Sequence, residues 1–228
     1  MASSTHPSDV RGTDARSTDV LINFVLDSSG SMSHLADATV LGVNAFVEDQ
    51  KQGSGTALMS LTLFDTGFDV RFVALDVREM PPLGSPGNRY VPHGGTALYD
   101  AVVTTVRGAE AWLAHHPEFT GDVVTVIQTD GAENSSRTTT LSDVNALISH
   151  KTRQGWEFVF QGTGQAAWTE AEKFSSIPVS ARFAGAATAG AQRDAYASNS
   201  RAMTRKRRTG ERFDDSLRLE GMPDEQHR

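Results

Sequence analysis

Residues 20–26, VLINFVL, form an apolar run rich in β-branched residues that leads directly into Asp-Ser-Ser-Gly-Ser. Such a run gives water no face, so it predicts a strand buried on both sides of a parallel sheet. DVVTVIQ (122–128), which ends in Thr129-Asp130-Gly131, and WEFVFQG (156–162) repeat the pattern. Segments with helical spacing alternate with these runs. Leu35, Val40, Val43, Phe46 and Val47 recur before Gly53 and Gly55, and Leu98, Val102, Val106, Ala109 and Leu113 share one face over about 97–115. Thr140-Leu-Ser-Asp143 reads as a capping box for a helix carrying Val144, Leu147 and Ile148 and closing at Gly155. ALMSLTLF (57–64) and FDVRFVAL (68–75), joined by Asp65-Thr66-Gly67, predict a hairpin and hence one antiparallel edge strand. A helix over 166–175, a short strand around 179–183 and a helix from about 190 to 208 complete the series. The alternation predicts an α/β fold: a doubly wound, mostly parallel sheet with helices on both faces and its ligand site at the carboxyl ends of the strands.

The flanks lack this patterning. Residues 1–18 are rich in Ser, Thr, Asp and Gly and are expected to be disordered; residues 209–228 are polar and are expected to be a flexible tail, leaving one domain over 19–208. The start has neither a basic nor an apolar signal region, and no run approaches the roughly 20 apolar residues of a membrane span, so a cytoplasmic location is expected. Cysteine is absent, which leaves oxygen and histidine as the available metal-binding chemistry. A net charge of −7 disfavours a nucleic-acid-coating protein. Arg201, Arg205, Lys206, Arg207, Arg208 and Arg212 form a local basic cluster, read first as a solvated helix end.

The polar residues at the predicted strand ends and loops are Asp27, Ser29 and Ser31 after the first strand, Thr96 before a helix, and Asp130 after a later strand. All are hard oxygen donors, suited to Mg²⁺ or Mn²⁺. A set this rich in hydroxyls leaves a bound ion electron-poor and ready to take a carboxylate from outside.

In these residues the sequence resembles the von Willebrand factor type A domains with their metal-ion-dependent adhesion site. The family's Asp-x-Ser-x-Ser motif is met by Asp27, Ser29 and Ser31, its loop threonine by Thr96 in GGTALYDA, and its last aspartate by Asp130 in TDG. The resemblance covers about residues 19–183 and implies a Rossmann-like fold of the intracellular bacterial or phage type. It also implies that Ser29, Ser31 and Thr96 ligate the metal directly, while Asp27 and Asp130 act mainly through water. The implied function is a metal-dependent protein-binding module, an adaptor whose ion bridges to an Asp or Glu of a partner.

An enzyme using the same ion, hydrolytic or phosphoryl-transferring, is the competing class. Ser29 stands where aspartate-based phosphatases carry a second Asp, and neither a GxxxxGK[ST] loop nor a GxSxG elbow occurs. A nucleic-acid adaptor working through the basic C-terminal helix is the third class. Glu133, Asn134, Asp100, His34 and His93 flank the proposed site, with solvated, capping or outer-sphere roles left open.

Overall fold

The structure, a computed structural model, describes residues 19–219; the expected tail over 1–18 and the last residues of the chain lie outside the described residues. Strands β1 (Val20–Asp27), β2 (Ala57–Phe64), β3 (Phe68–Asp76), β4 (Asp122–Thr129), β5 (Glu157–Thr163) and β6 (Arg182–Gly185) form one sheet of order β3-β2-β1-β4-β5-β6. β1 is buried along its whole length and pairs in parallel with both neighbours, which places Leu26 opposite Leu63 and Gln128. The parallel pairing continues to β5 and β6, and β3 alone runs antiparallel.

Helices α1 (Ala36–Lys51), α2 (Leu98–His115), α3 (Leu141–Arg153), α4 (Gln165–Lys173), α5 (Ala189–Thr209) and α6 (Phe213–Leu219) cover both faces. On one face Phe24 packs against Phe46 of α1 and Tyr196 of α5, with ring centroids 5.8 and 6.2 Å apart. On the other, Thr105 of α2 donates to Thr62 of β2 at 2.7 Å, and Tyr99 of α2 meets Phe174, which follows α4, at 5.9 Å. The contact between α1 and α5 depends on Gly42, where an added Cβ would lie 2.1 Å from the Tyr196 ring. The expected capping box is present: the Thr140 hydroxyl accepts from Asp143 N, and Asp143 accepts from Thr140 N. The strand expected around 179–183 is a single 3-10 turn over Val179–Ala181 followed by β6.

The sheet edges are both irregular. β3 departs from regular pairing between Met59 and Thr62 of β2, where Ala74 takes φ 49° and its N–H goes to Ser60 Oγ instead of a ladder partner. β6, at the far edge, is only 4 residues long.

The end of the chain corrects the sequence reading twice. Residues 209–219 are not a loose tail: Gly210, at φ 72°, ends α5, and α6 follows with Phe213 and Leu217 fully buried. Nor is the basic cluster simply solvated. Lys206 is buried and reaches Asp122 (2.7 Å) and Glu157 (2.5 Å) at the amino ends of β4 and β5, while Arg207 donates to the carbonyls of Gln50 (2.7 Å) and Ser54 (2.6 Å) behind α1. Glu157 also accepts from Phe213 N at 2.6 Å, so one carboxylate ties α5 and α6 to the sheet. Truncating the buried Phe213 to Ala is therefore expected to destabilise the domain by about 3–5 kcal/mol, measured by urea unfolding. A wild-type midpoint would show that α6 packs only loosely.

Candidate metal centre

From β1 the chain crosses towards β2, and from β4 it crosses the other way towards β5, so the carboxyl ends of β1 and β4 flank the topological switch point of the sheet. In open α/β sheets this crevice is where ligands bind. Asp27 ends β1, and Asp130 directly follows β4.

Asp27 is completely buried. Its Oδ1 accepts from Ser29 N at 2.6 Å, its Oδ2 from the Thr129 hydroxyl at 2.5 Å, and its carbonyl from the Tyr90 hydroxyl at 2.6 Å. Burial pushes its carboxyl up to about 6, against the pull of the Thr129 and Ser29 hydrogen bonds and with the charge of Asp130 adding to the rise. Asp130 is only half-buried, and burial raises it too. Among the described residues neither carboxylate has an ion-pair partner.

The hydroxyls converge on the same place. Ser29 Oγ lies 3.1 Å from Ser31 Oγ, and Ser31 donates to Asp130 Oδ1 at 2.5 Å. Thr96 belongs to a different loop, yet a Cβ built on Gly131 would stand 3.6 Å from Thr96 Oγ1 and 3.8 Å from Ser31 Oγ. The structure thus brings Asp27, Ser29, Ser31, Thr96 and Asp130 together at one end of the sheet. Two glycines make the approach of the loops feasible. At Gly94, φ is +69° and a Cβ would fall 2.4 Å from Thr66 Oγ1; at Gly95 it would fall 2.2 Å from Ser135 Oγ. Any side chain there would push the Thr96 loop away from its neighbours.

Residues around the site hold these loops. Thr96 N donates to Asn134 Oδ1 (2.8 Å), and Thr96 O accepts from Asn134 N (3.0 Å). Glu133 accepts from Tyr99 N, Ser135 N and Ser136 N, so it caps α2 and braces its own loop. Asp100 is buried and accepts from Arg137 N (2.8 Å) and the Thr138 hydroxyl (2.7 Å), which hold its carboxyl below the usual range despite burial. His93 pairs with Asp65 at 2.8 Å, and His34 Nδ1 is 2.7 Å from Ser31 O. Sequence reading missed Thr129 and Tyr90, both of which bind Asp27. Thr129 was legible as the neighbour of Asp130, whereas Tyr90 lies in a Pro/Gly-rich loop without periodicity.

The donor chemistry fits a hard dication. Two carboxylates without an ion-pair contact face three hydroxyls, and a bound cation would offset the cost that burial and mutual repulsion impose on the acids. Among the described residues no three acidic or histidine side chains form a metal cluster, so an ion here would depend on the Ser and Thr hydroxyls.

No family model matches the sequence, and no curated protein matches it. Solved structures do match. A von Willebrand factor type A protein from Catenulispora acidiphila superimposes with a TM-score of 0.59 at 14% identity, over 82% of this chain and 43% of that one. The chain has the von Willebrand factor type A fold. Proximal thread matrix protein 1 from the mussel byssus, described with a zinc-occupied MIDAS motif, matches with a TM-score of 0.53 at 16% identity over 88% and 45% of the two chains. Manganese-loaded TRAP protein from Plasmodium vivax matches with a TM-score of 0.50 at 14% identity over 75% and 69%. The chain spans less than half the length of the first two of these structures.

Thr129→Val tests the support of Asp27. It removes the hydroxyl donor to a buried carboxylate and should cost about 1–3 kcal/mol in thermal or chemical unfolding at neutral pH. An unchanged stability would mean that this hydrogen bond does not hold the strand ends together.

Proposed function

We propose that this domain is a metal-dependent protein-binding module, with Asp27, Ser29, Ser31, Thr96 and Asp130 holding Mg²⁺ or Mn²⁺ and the ion bridging to an Asp or Glu of a partner. The observation that carries the reading is the hydroxyl-rich convergence at the switch point. Ser29, Ser31 and Thr96 would ligate directly, with Asp27 and Asp130 acting mainly through water. Neutral direct ligands leave the ion short of negative charge, and a partner carboxylate supplies it. The ion thus serves as an electrophilic anchor, and the chain's part is to orient oxygens around it.

A cleft of about 660 Å³ beside the site also supports a macromolecular ligand. It is walled by Ser28 next to Asp27, by Asp65 and His93, and by the exposed side chains of Phe68, Arg89 and Val91. Apolar and charged groups side by side at an anchor suit a protein surface. The titratable side chains nearest the site face other tasks: Glu133 and Asp100 are taken up by backbone N–H groups, and His93 by Asp65. We therefore read the domain as an adaptor in an assembly and not as an enzyme. Among the described residues no helix is long and apolar enough to cross a membrane.

The test is calorimetric titration of Mg²⁺ into wild type, Asp27→Asn and Thr96→Ala, with a pull-down in Mg²⁺ and in EDTA. Asp27→Asn keeps the size of the side chain and removes its charge, so the fold should survive, while metal affinity falls by about 10–100-fold, the range for groups acting behind direct ligands. Thr96→Ala deletes a proposed direct ligand at constant net charge and should weaken metal and partner binding together. Equal affinity in all three proteins would refute the site. Metal binding with turnover of a phosphate or ester substrate and no EDTA-sensitive partner would favour the enzyme class.

A further inference from the structure

A metal ion that takes one carboxylate treats every acidic partner alike, so selectivity rests with the protein surface around it. On the β2–β3 side of the metal centre that surface is the cleft of about 660 Å³. One wall is the loop before α2, and Tyr90 fastens it to the site: its buried side chain donates to the Asp27 carbonyl at 2.6 Å. Farther along the same loop, His93 N donates to Ser28 O at 2.9 Å. Exposure alternates about Tyr90, so Arg89 and Val91 on either side of it are exposed, and both line the cleft. The other wall is the turn after β2 and the start of β3, where Phe68 is 45% exposed against 56% for Val91. Most of the charges in the cleft are committed. Asp69 pairs with Arg71 at 2.7 Å and Asp65 with His93 at 2.8 Å. Arg89 is not: among the described residues it makes no ion pair and no hydrogen bond.

Resting on the reading of the domain as a metal-dependent binding module, we infer that the partner segment is doubly acidic: one carboxylate meets the ion, a second docks on Arg89, and an apolar side chain of the same segment covers Phe68 and Val91. A guanidinium is a planar fork that matches a carboxylate with two parallel hydrogen bonds. A basic side chain from the partner would meet Arg89 with like charge and would reach Asp65 or Asp69 only by breaking their existing pairs. The net charge of −7 gives an acidic partner no attraction from the molecule as a whole, so a local cation has to supply it. Clefts of roughly 300–1,000 Å³ take a drug-sized group, so this one holds a few side chains of an extended segment and not a folded domain. Arginine beside exposed apolar residues is also the make-up of an interface centre. Because Tyr90 ties the Arg89 loop to Asp27, the two acid-binding points stand at a fixed separation, and the spacing of acids in the partner becomes the feature that is read.

The probes are short fluorescein-labelled peptides in a Gly/Ser frame: no acid, one Asp with Leu, and one Asp with Leu and a second Asp at each of the other positions. Binding to the full chain is read by fluorescence anisotropy in Mg²⁺ and in EDTA. In Mg²⁺ the two-acid peptide of one spacing is expected to bind about fivefold more tightly than the one-acid peptide, the upper end for an exposed ion pair, and EDTA should abolish both. Arg89→Ala should bring that peptide to the one-acid level, and Arg89→Glu should take it below. Arg89 is exposed and unbonded, so both variants should fold, which melting curves check. Thr96→Ala should weaken one-acid and two-acid peptides alike. A roughly twofold gain at every spacing is the statistical effect of a second acid competing for the ion; that result, or a preference that survives Arg89→Ala, overturns this inference and leaves the metal bridge standing. Binding that ignores EDTA, or no binding by any peptide, removes the metal bridge and this inference with it. Sedimentation of the full chain checks the other occupant: a dimer that Arg89→Glu dissolves would mean that a second copy, and not a partner, covers the cleft.

Discussion

A carboxylate sealed from water at the end of the central strand is the constraint around which the upper part of this domain is organised. Asp27 is shut off from bulk solvent, so its oxygens are met by a backbone N–H two residues ahead and by a hydroxyl from the neighbouring strand. Those contacts bind the loop after β1 to the end of β4, and the Tyr90 hydroxyl on the carbonyl of the same residue brings in the long loop before α2. The three loops that carry the five site residues thus meet at one residue, through its carboxylate and its carbonyl. Its raised proton affinity comes first from burial, with the charge of Asp130 adding to the rise.

Much of this was readable beforehand. Unbroken apolar runs ending in polar loops give the buried parallel strands and their order of appearance, because only strands covered on both faces tolerate such runs. Motif spacing then assembles Asp27, Ser29, Ser31, Thr96 and Asp130, since each falls at a strand end or just before a helix. Less legible was what holds those residues. Tyr90 sits among prolines and glycines, and its partner is a backbone carbonyl, a pairing without a sequence signature. Residues 209–219 escaped for a different reason: Phe213 and Leu217 are two apolar residues in a polar stretch, too few to register as a period. Lys206 and Arg207 look like surface charges until the topology carries α5 past the amino ends of β4 and β5, where Asp122 and Glu157 wait.

Polar groups are spread unevenly through the interior. Between the sheet and α2 Thr105 donates to Thr62, and the Asn23 amide nitrogen donates to Thr125. Between the sheet and α5 lie larger amides: Gln161 and Asn199 satisfy each other, and Gln128 lies against the Tyr196 hydroxyl. The far end of α5 is locked by Lys206, Arg207 and α6.

The irregular sheet edges have a bearing on assembly. An open strand edge is a template for further strands, and proteins commonly blunt it by bulges or by shortness. Here one outer strand turns an alanine out of register and spends its N–H on a serine, and the other offers a ladder of four residues. Both flanks are therefore poor templates for an incoming strand, which disfavours open-ended sheet extension. Association through this domain is left to its loop-bearing end and its helical faces, where contacts depend on particular side chains and a complex of defined size can form.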